Sequence, residues 1–157
     1  MPAELACPSP EELSDAAGVT LRVAPPDGEA LLVCTYEAAE SLEDTSLTLF
    51  VDDQAHQMAA FDALRTRQPQ PGDYELNVFE VTEDSVFAAE VRTMSGPGGS
   101  LRIGAGAVWH VRPPFACAAL ARHGGTADQV ETLMRLLDEL TAEMCSDEEA
   151  LQELVGS

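Results

Sequence analysis

The segment 91–127 concentrates basic side chains in a chain that is otherwise strongly acidic. The whole chain of 157 residues carries 28 acidic and eight basic residues and a formal net charge of -20. The segment 91–127 contains no Asp or Glu, yet it holds four arginines and two histidines: Arg92, Arg102, Arg112, Arg122, His110 and His123. This asymmetry is the clearest indication in the sequence of where a binding site lies.

The predicted last strand, 101–111, positions three of these basic residues on one face of a sheet. Side chains alternate along a strand, so Arg102, His110 and Arg112 share a face with Gly104 and Gly106. The opposite face is predicted to pack against helices, and it carries Leu101, Ile103, Ala105, Ala107, Trp109 and Val111. The first set is expected on an open face, which the two glycines would leave low enough for a ligand to approach the backbone.

A basic sheet face of this kind suits an anionic ligand. The forked donors of Arg102 and Arg112 match a carboxylate, a phosphate or an acidic peptide, and Arg92 joins them if the register of the neighbouring strand allows. The alternative is an ordinary solvated face. In that case Glu75, Glu80 or Glu90 pairs with the arginines across strands.

No pattern in the sequence predicts catalysis. The three histidines lack the spacing of metal ligands, and no G-x-S-x-G motif is present. The glycine-rich stretch 96–99 contains a proline and precedes a strand rather than a helix, so it is not a phosphate loop. We therefore expect a non-catalytic protein with no metal and no cofactor.

Length, charge and hydropathy narrow the class of protein. A chain of this length forms a hydrophobic core large enough for one domain. The negative charge argues against nucleic-acid partners, because phosphates would be repelled. No apolar run is long enough to span a membrane, and the first residues lack the basic and apolar regions of a signal peptide.

The order of predicted elements indicates an α+β fold. Helices are expected at 10–17, from Asp52 or Asp53 to about Arg67, and at 126–145, where apolar residues at three- and four-residue spacing form one stripe. Six strands lie between them. We expect an antiparallel sheet of about six strands with the helices packed on one face, in a single domain over residues 1–145. Residues 146–157 form either an acidic tail or a short helix.

The four cysteines are far apart in sequence and form no C-x-x-C pair. Pairing neighbours along the chain would give disulfides Cys7–Cys34 and Cys117–Cys145, one of three connectivities. Each would close a loop of roughly 28 residues and contribute roughly 3–4 kcal/mol. The alternative is four buried, reduced thiols in a cytosolic protein.

The first 36 residues resemble a known kind of domain. Cys7, a short helix ending in Gly18-Val19, and Cys34-Thr35-Tyr36 are similar to small secreted or lipid-anchored domains of actinobacteria. Related domains are the extracellular sensors of receptor serine/threonine kinases. The resemblance implies an antiparallel sheet with helices, a cleft, and a disulfide between the first two cysteines.

Two functions are therefore expected as alternatives. The first is an extracellular or cell-envelope binding or sensor-like domain for a small anion or a protein partner. The second is a cytosolic acidic chaperone or immunity-type protein that holds a basic secreted partner, whose approach the negative charge would steer. The sequence does not define an oligomeric state.

Overall fold

The computed structural model describes residues 7–25, 30–39, 45–67 and 72–156, apart from the side chains of Leu101 and Val155. Within these ranges the chain forms seven strands and four helices. In chain order they are α1 (Pro10–Ala17), β1 (Leu21–Ala24), β2 (Leu32–Ala38), β3 (Thr45–Asp53), α2 (Gln54–Arg65), β4 (Asp73–Val81), β5 (Ser85–Gly96), β6 (Gly99–Arg112), β7 (Phe115–His123), α3 (Ala127–Ser146) and α4 (Glu148–Gly156).

The strands form one antiparallel sheet in the order β1-β2-β3-β7-β6-β5-β4. The predicted α+β class is confirmed, with seven strands rather than about six. The additional strand is β7, which lies at the centre between β3 and β6. Its sequence, FACAALARH, is rich in alanine and lacks the β-branched residues that indicate a strand. Hydrogen bonding to β3 on one side and to β6 on the other therefore determines the extended conformation of β7.

The main core lies between one face of the sheet and the helices α1, α3 and α4. The α3 stripe is confirmed, because Val130, Leu133, Met134 and Leu137 are all buried there. Thr126 and Gln129 form the predicted capping box at the start of α3. Residues 146–157 include α4, and its Leu151 is fully buried in this same core.

The helices divide between the two faces of the sheet, rather than gathering on one as expected. Helix α2 packs on the face opposite α3, where Phe61 contacts a second core cluster around Trp109. The rings of Phe50 and Trp109 meet edge to face at 5.4 Å, a favourable arrangement for aromatic pairs. Trp109 is therefore a core residue against α2.

The two glycines of β6 place α3 on the face that was expected to be open. A side chain at Gly106 would approach Met134 of α3 to 2.5 Å, and one at Gly104 would collide with the His123 carbonyl and crowd Val130. The alternation along β6 follows the prediction, and the Trp109 face does pack against a helix, α2; the face with the glycines, which was expected to be open, is covered by α3. Because the glycines have no side chains, α3 can approach the backbone of β6 closely. This packing is favourable because it buries apolar area that an open face would leave in water.

Both predicted disulfides are present, and they account for all four cysteines. Cys7–Cys34 joins the residues before α1 to β2, and Cys117–Cys145 joins β7 to the end of α3. No helix among the described residues is long and apolar enough to cross a membrane.

Leu137 tests the assignment of the α3 core face. The Leu137→Ala variant should lower the free energy of unfolding by about 2–5 kcal/mol, because the side chain is fully buried beneath the helix. Urea denaturation measures this change. The control is Glu139→Ala on the exposed side of α3. A loss below about 0.5 kcal/mol at Leu137, the size usual for surface substitutions, would contradict the assignment.

The burial of Tyr36 predicts how the free energy of unfolding changes at alkaline pH. Its hydroxyl donates to the Pro8 carbonyl at 2.5 Å, and burial raises the pKa of Tyr36 from 10.0 to about 12. A raised pKa means that the unfolded chain loses this proton first. The free energy of unfolding should therefore fall as the pH rises from 10 to about 12. Tyr36→Phe should cost about 1 kcal/mol at pH 7 but lose less stability across this range. Parallel slopes for the two proteins in denaturation at each pH would contradict the prediction.

Candidate functional site

The basic residues predicted on β6 lie at its two ends rather than in one cluster. Arg102 and Arg112 are ten residues apart, which is about 33 Å along a strand. Arg102 donates to the carboxylate of Glu75 at 2.7 Å and to the Gly125 carbonyl at 2.6 Å. This pair is the cross-strand alternative that the sequence left open. His110 lies with Arg112 at the far end.

Arg92 is separated from the other three residues by the sheet itself. It pairs with Ile103 on β6, whereas Arg102 pairs with Thr93, so the two arginines point to opposite faces. Arg92 Nε lies 3.8 Å from the carboxylate of Glu90, and both side chains are largely buried. The structure thus brings together two of the four predicted binding residues, His110 and Arg112.

His123, a buried histidine at the end of β7, has a structural role. Its Nδ1 lies 2.8 Å from the Thr45 hydroxyl, and its Nε2 lies 2.7 Å from the Ala17 carbonyl. A carbonyl only accepts, so Nε2 carries a proton. These contacts connect the end of α1 to the central strands. They place His123 far from the residues described next.

His110 and Arg112 line a surface cavity of about 300 Å³. Asp84 and Ser85, at the turn before β5, also line it, as do residues of α3. On the α3 side the cavity is lined by Ala142, Cys145 and Ser146. We call it the β6 pocket. The disulfide Cys117–Cys145 forms part of its wall, with Cys145 Sγ 3.5 Å from the His110 carbonyl oxygen.

Asp138 of α3 fixes the orientation of His110. The distance from His110 Nε2 to Asp138 Oδ1 is 2.7 Å, and both side chains are partly buried. Because a carboxylate accepts, Nε2 must be the protonated nitrogen in this contact. The other ring nitrogen, Nδ1, is then an acceptor in the neutral ring and a donor in the charged ring. The ring is thereby held at the edge of the β6 pocket.

Arg112 is the cationic group of the β6 pocket. Its Nη1 donates to the Ser146 carbonyl at 3.3 Å, and its Nη2 lies 3.5 Å from the Glu148 carboxylate. Both contacts are long compared with charge-assisted hydrogen bonds. The side chain of Glu148 is 72% exposed, so this ion pair contributes little. A ligand carboxylate could replace Glu148 at low cost.

The turn before β5 is held by hydrogen bonds among its own side chains. The Thr82 hydroxyl donates to Asp84 Oδ1 at 3.1 Å and also lies 2.6 Å from the Ser85 hydroxyl. A hydroxyl has a single proton, so Ser85 must donate to Thr82 when Thr82 donates to Asp84. Ser85 then presents only lone pairs to its surroundings.

Sequence reasoning did not identify Asp84, Ser85 or Asp138 as site residues. Ser85 pairs directly with His110 across the β5–β6 ladder, so the correct register would have revealed it. Asp138 is on the α3 helix, and its approach to His110 depends on which sheet face α3 covers. In sequence, Asp84 is simply one of many acidic residues in turns.

Among the described residues, no group of three or more His, Cys, Asp and Glu side chains could hold a metal ion. A second cavity of about 390 Å³ lies beside Gly72 and Thr93, with Asp73 as its charged residue. It contains none of the predicted binding residues.

Comparison with known proteins adds no relative to these observations. No protein-family model matches the chain, and no curated protein matches it significantly.

Proposed function

We propose that the protein is a non-catalytic binding or sensor-like domain of the cell envelope or exterior, and that the β6 pocket binds a small anionic ligand. The convergence of His110 and Arg112 on one cavity carries the proposal. Arg112 presents a guanidinium at the cavity, and its contacts to the described residues, at 3.3 and 3.5 Å, are long. Guanidinium groups bind carboxylates and phosphates through paired hydrogen bonds.

The two disulfides support the proposed compartment. Structural disulfides persist in oxidising surroundings and are rare in cytosolic proteins. Cys7–Cys34 is also the pairing that the resemblance to secreted actinobacterial domains implies. We also propose that the chain belongs to that group of secreted domains.

The position of the second disulfide connects the compartment to the binding site. Cys117–Cys145 joins β7 to the end of α3, and Cys145 lines the β6 pocket. The bond therefore holds the α3 wall of the pocket against the sheet. A binding site stabilised in this way suits a domain outside the cell.

Two arginines of β6 provide a matched test of anion binding. Arg112→Gln should weaken acetate or phosphate binding about tenfold, because a charged donor is lost from the pocket. Arg102→Gln removes the same charge from the same face of the strand, but its side chain is already bound to Glu75 and Gly125. It should leave the affinity unchanged. NMR titration that follows the Ala142 methyl group measures both variants.

Two results of this titration would reject the anion site. One is a wild-type protein that binds neither acetate nor phosphate at millimolar concentrations. The other is equal weakening by Arg102→Gln and Arg112→Gln, which would indicate a general effect of net charge. Thermal unfolding of both variants verifies that each is folded.

The net charge of -20 favours a second candidate, a cytosolic protein that binds a basic partner. The described arginines mostly face acidic groups of the same chain, as in Arg22–Glu37 and Arg102–Glu75. The acidic excess therefore remains for a partner of opposite charge, and electrostatic attraction would speed that association.

Thiol titration distinguishes the two candidates. Protein isolated from its native cells with thiols trapped at lysis should show no reactive thiol after denaturation, because both disulfides form in an oxidising compartment. The same titration after reduction gives the value for four thiols and serves as the control. Four thiols without added reductant would reject the envelope proposal and favour the cytosolic binder.

A further inference from the structure

We propose that the outer edge of β4 binds an extended segment of a partner protein as an added β-strand, and that this segment carries basic residues near both of its ends. Added strands pair through main-chain hydrogen bonds and gain specificity from alternate side chains. Among the described residues, those that line the β6 pocket do not include any of β4. The added strand and the proposed anion site are therefore independent of each other.

The two edges of the sheet differ in how well they are protected from further pairing. β1 forms one edge with only four residues, and two prolines follow it in the sequence. A short strand that ends at proline offers a partner little to pair with. β4 forms the other edge with nine residues and no proline, a length of about 30 Å. Within the described part of the chain, β4 pairs only with β5.

Most of β4 is regular enough to pair with another strand. Its register with β5 shifts between Tyr74 and Leu76 and is then continuous from Leu76 to Val81. The N–H and C=O groups of a strand alternate between its two sides. The continuous stretch therefore directs a row of backbone donors and acceptors away from β5, as edge strands do.

Two large apolar side chains lie along this stretch on the α2 face. Val81 pairs with Val86, which belongs to the cluster that α2 covers, so the two side chains share that face. Phe79 is two residues away on the same face. Phe79 and Val81 are 39% and 40% exposed. A partner strand with apolar residues at alternate positions would cover both of them.

The glutamates of β4 do not guard the edge, because both are drawn inward over the sheet. Glu80 accepts hydrogen bonds from Arg135 at 3.1 and 3.3 Å, and this guanidinium lies 4.0 Å from the centre of the Phe87 ring on β5. Glu75 is bound to Arg102 of β6, the second strand in from the edge. Edge strands commonly use charged side chains to repel a further strand. Here the two charges are neutralised by arginines of the same chain.

The charges that flank β4 favour a basic segment over a second copy of the chain. Asp73 begins the strand, Glu83 lies in the turn after it, and both are exposed. Antiparallel pairing of two copies would bring the Asp73 end of one β4 beside the Glu83 end of the other. Each copy also carries a net charge of -20, so the two would repel each other. Arginine or lysine near both ends of a partner segment would be attracted instead.

A synthetic peptide tests the proposal directly. The probe has about nine residues, alternating threonine and valine, with an arginine at each end. It should bind with a Kd below about 1 mM and slow hydrogen exchange at alternate β4 amides at least about tenfold at saturation. Methylation of its central backbone nitrogens should abolish binding, because the main-chain donors are lost while charges and side chains remain. Glutamate in place of the arginines should weaken binding at least about tenfold. NMR measures both affinity and exchange.

The same substitution on each edge of the sheet tests the location. Val81→Lys places a positive charge beside the bound peptide and should weaken its binding at least about tenfold. Val23→Lys makes the same change of charge at an exposed position of β1, and it should leave the affinity unchanged. Thermal unfolding verifies that both variants are folded.

Three results would overturn the proposal. One is a wild-type protein that does not bind the arginine peptide at millimolar concentrations. Another is equal weakening by Val81→Lys and Val23→Lys, which would indicate attraction to the net charge alone. The third is a wild-type dimer in sedimentation equilibrium that Val81→Lys abolishes, because the occupant of the edge is then a second copy. Acetate or phosphate binding at the β6 pocket is measured separately and stands or falls on its own variants.

Discussion

The close contact between α3 and the centre of the sheet determines how the rest of the molecule is arranged. Gly104 and Gly106 of β6 leave room for Val130 and Met134, because a Cβ atom at Gly104 would collide with the His123 carbonyl and one at Gly106 would require the Met134 side chain to move. The contact buries the α3 stripe over the middle of the sheet. The two ends of β6 lie on either side of this contact. Polar side chains on this face can reach water only at those ends.

This constraint explains the positions of the charged residues. Arg102 and Arg112 flank the covered part of β6, so each meets different neighbours. At one end, Glu75 and the carbonyls that precede α3 bind Arg102 closely. At the other end, where α3 ends, the contacts of Arg112 within the described part of the chain are the longer ones to the Ser146 carbonyl and to Glu148. The same strand therefore carries one satisfied and one loosely held arginine.

Much of the fold could be predicted from the sequence, but the site could not. The capping box at Thr126, the α3 stripe and both disulfides follow from local spacing and from pairing neighbours, and the structure contains all of them. The choice of sheet face does not follow from local spacing. Trp109 and the two glycines alternate along β6, and a face with glycines suits an open surface or a close helix equally well. Packing of α2 around Trp109 and of α3 over Gly106 decides between these possibilities.

The acid-free segment 91–127 has a simpler explanation than a basic surface. It supplies the central strands β6 and β7, and its arginines meet carboxylates contributed by other segments of the chain, such as Glu75 and Glu148. Acidic groups within the same segment would compete for these places and add to the net negative charge. The asymmetry thus reflects charge pairing within the molecule. Its value as a guide to a site is limited to Arg112, whose acidic partner Glu148 lies 3.5 Å away and is mostly exposed.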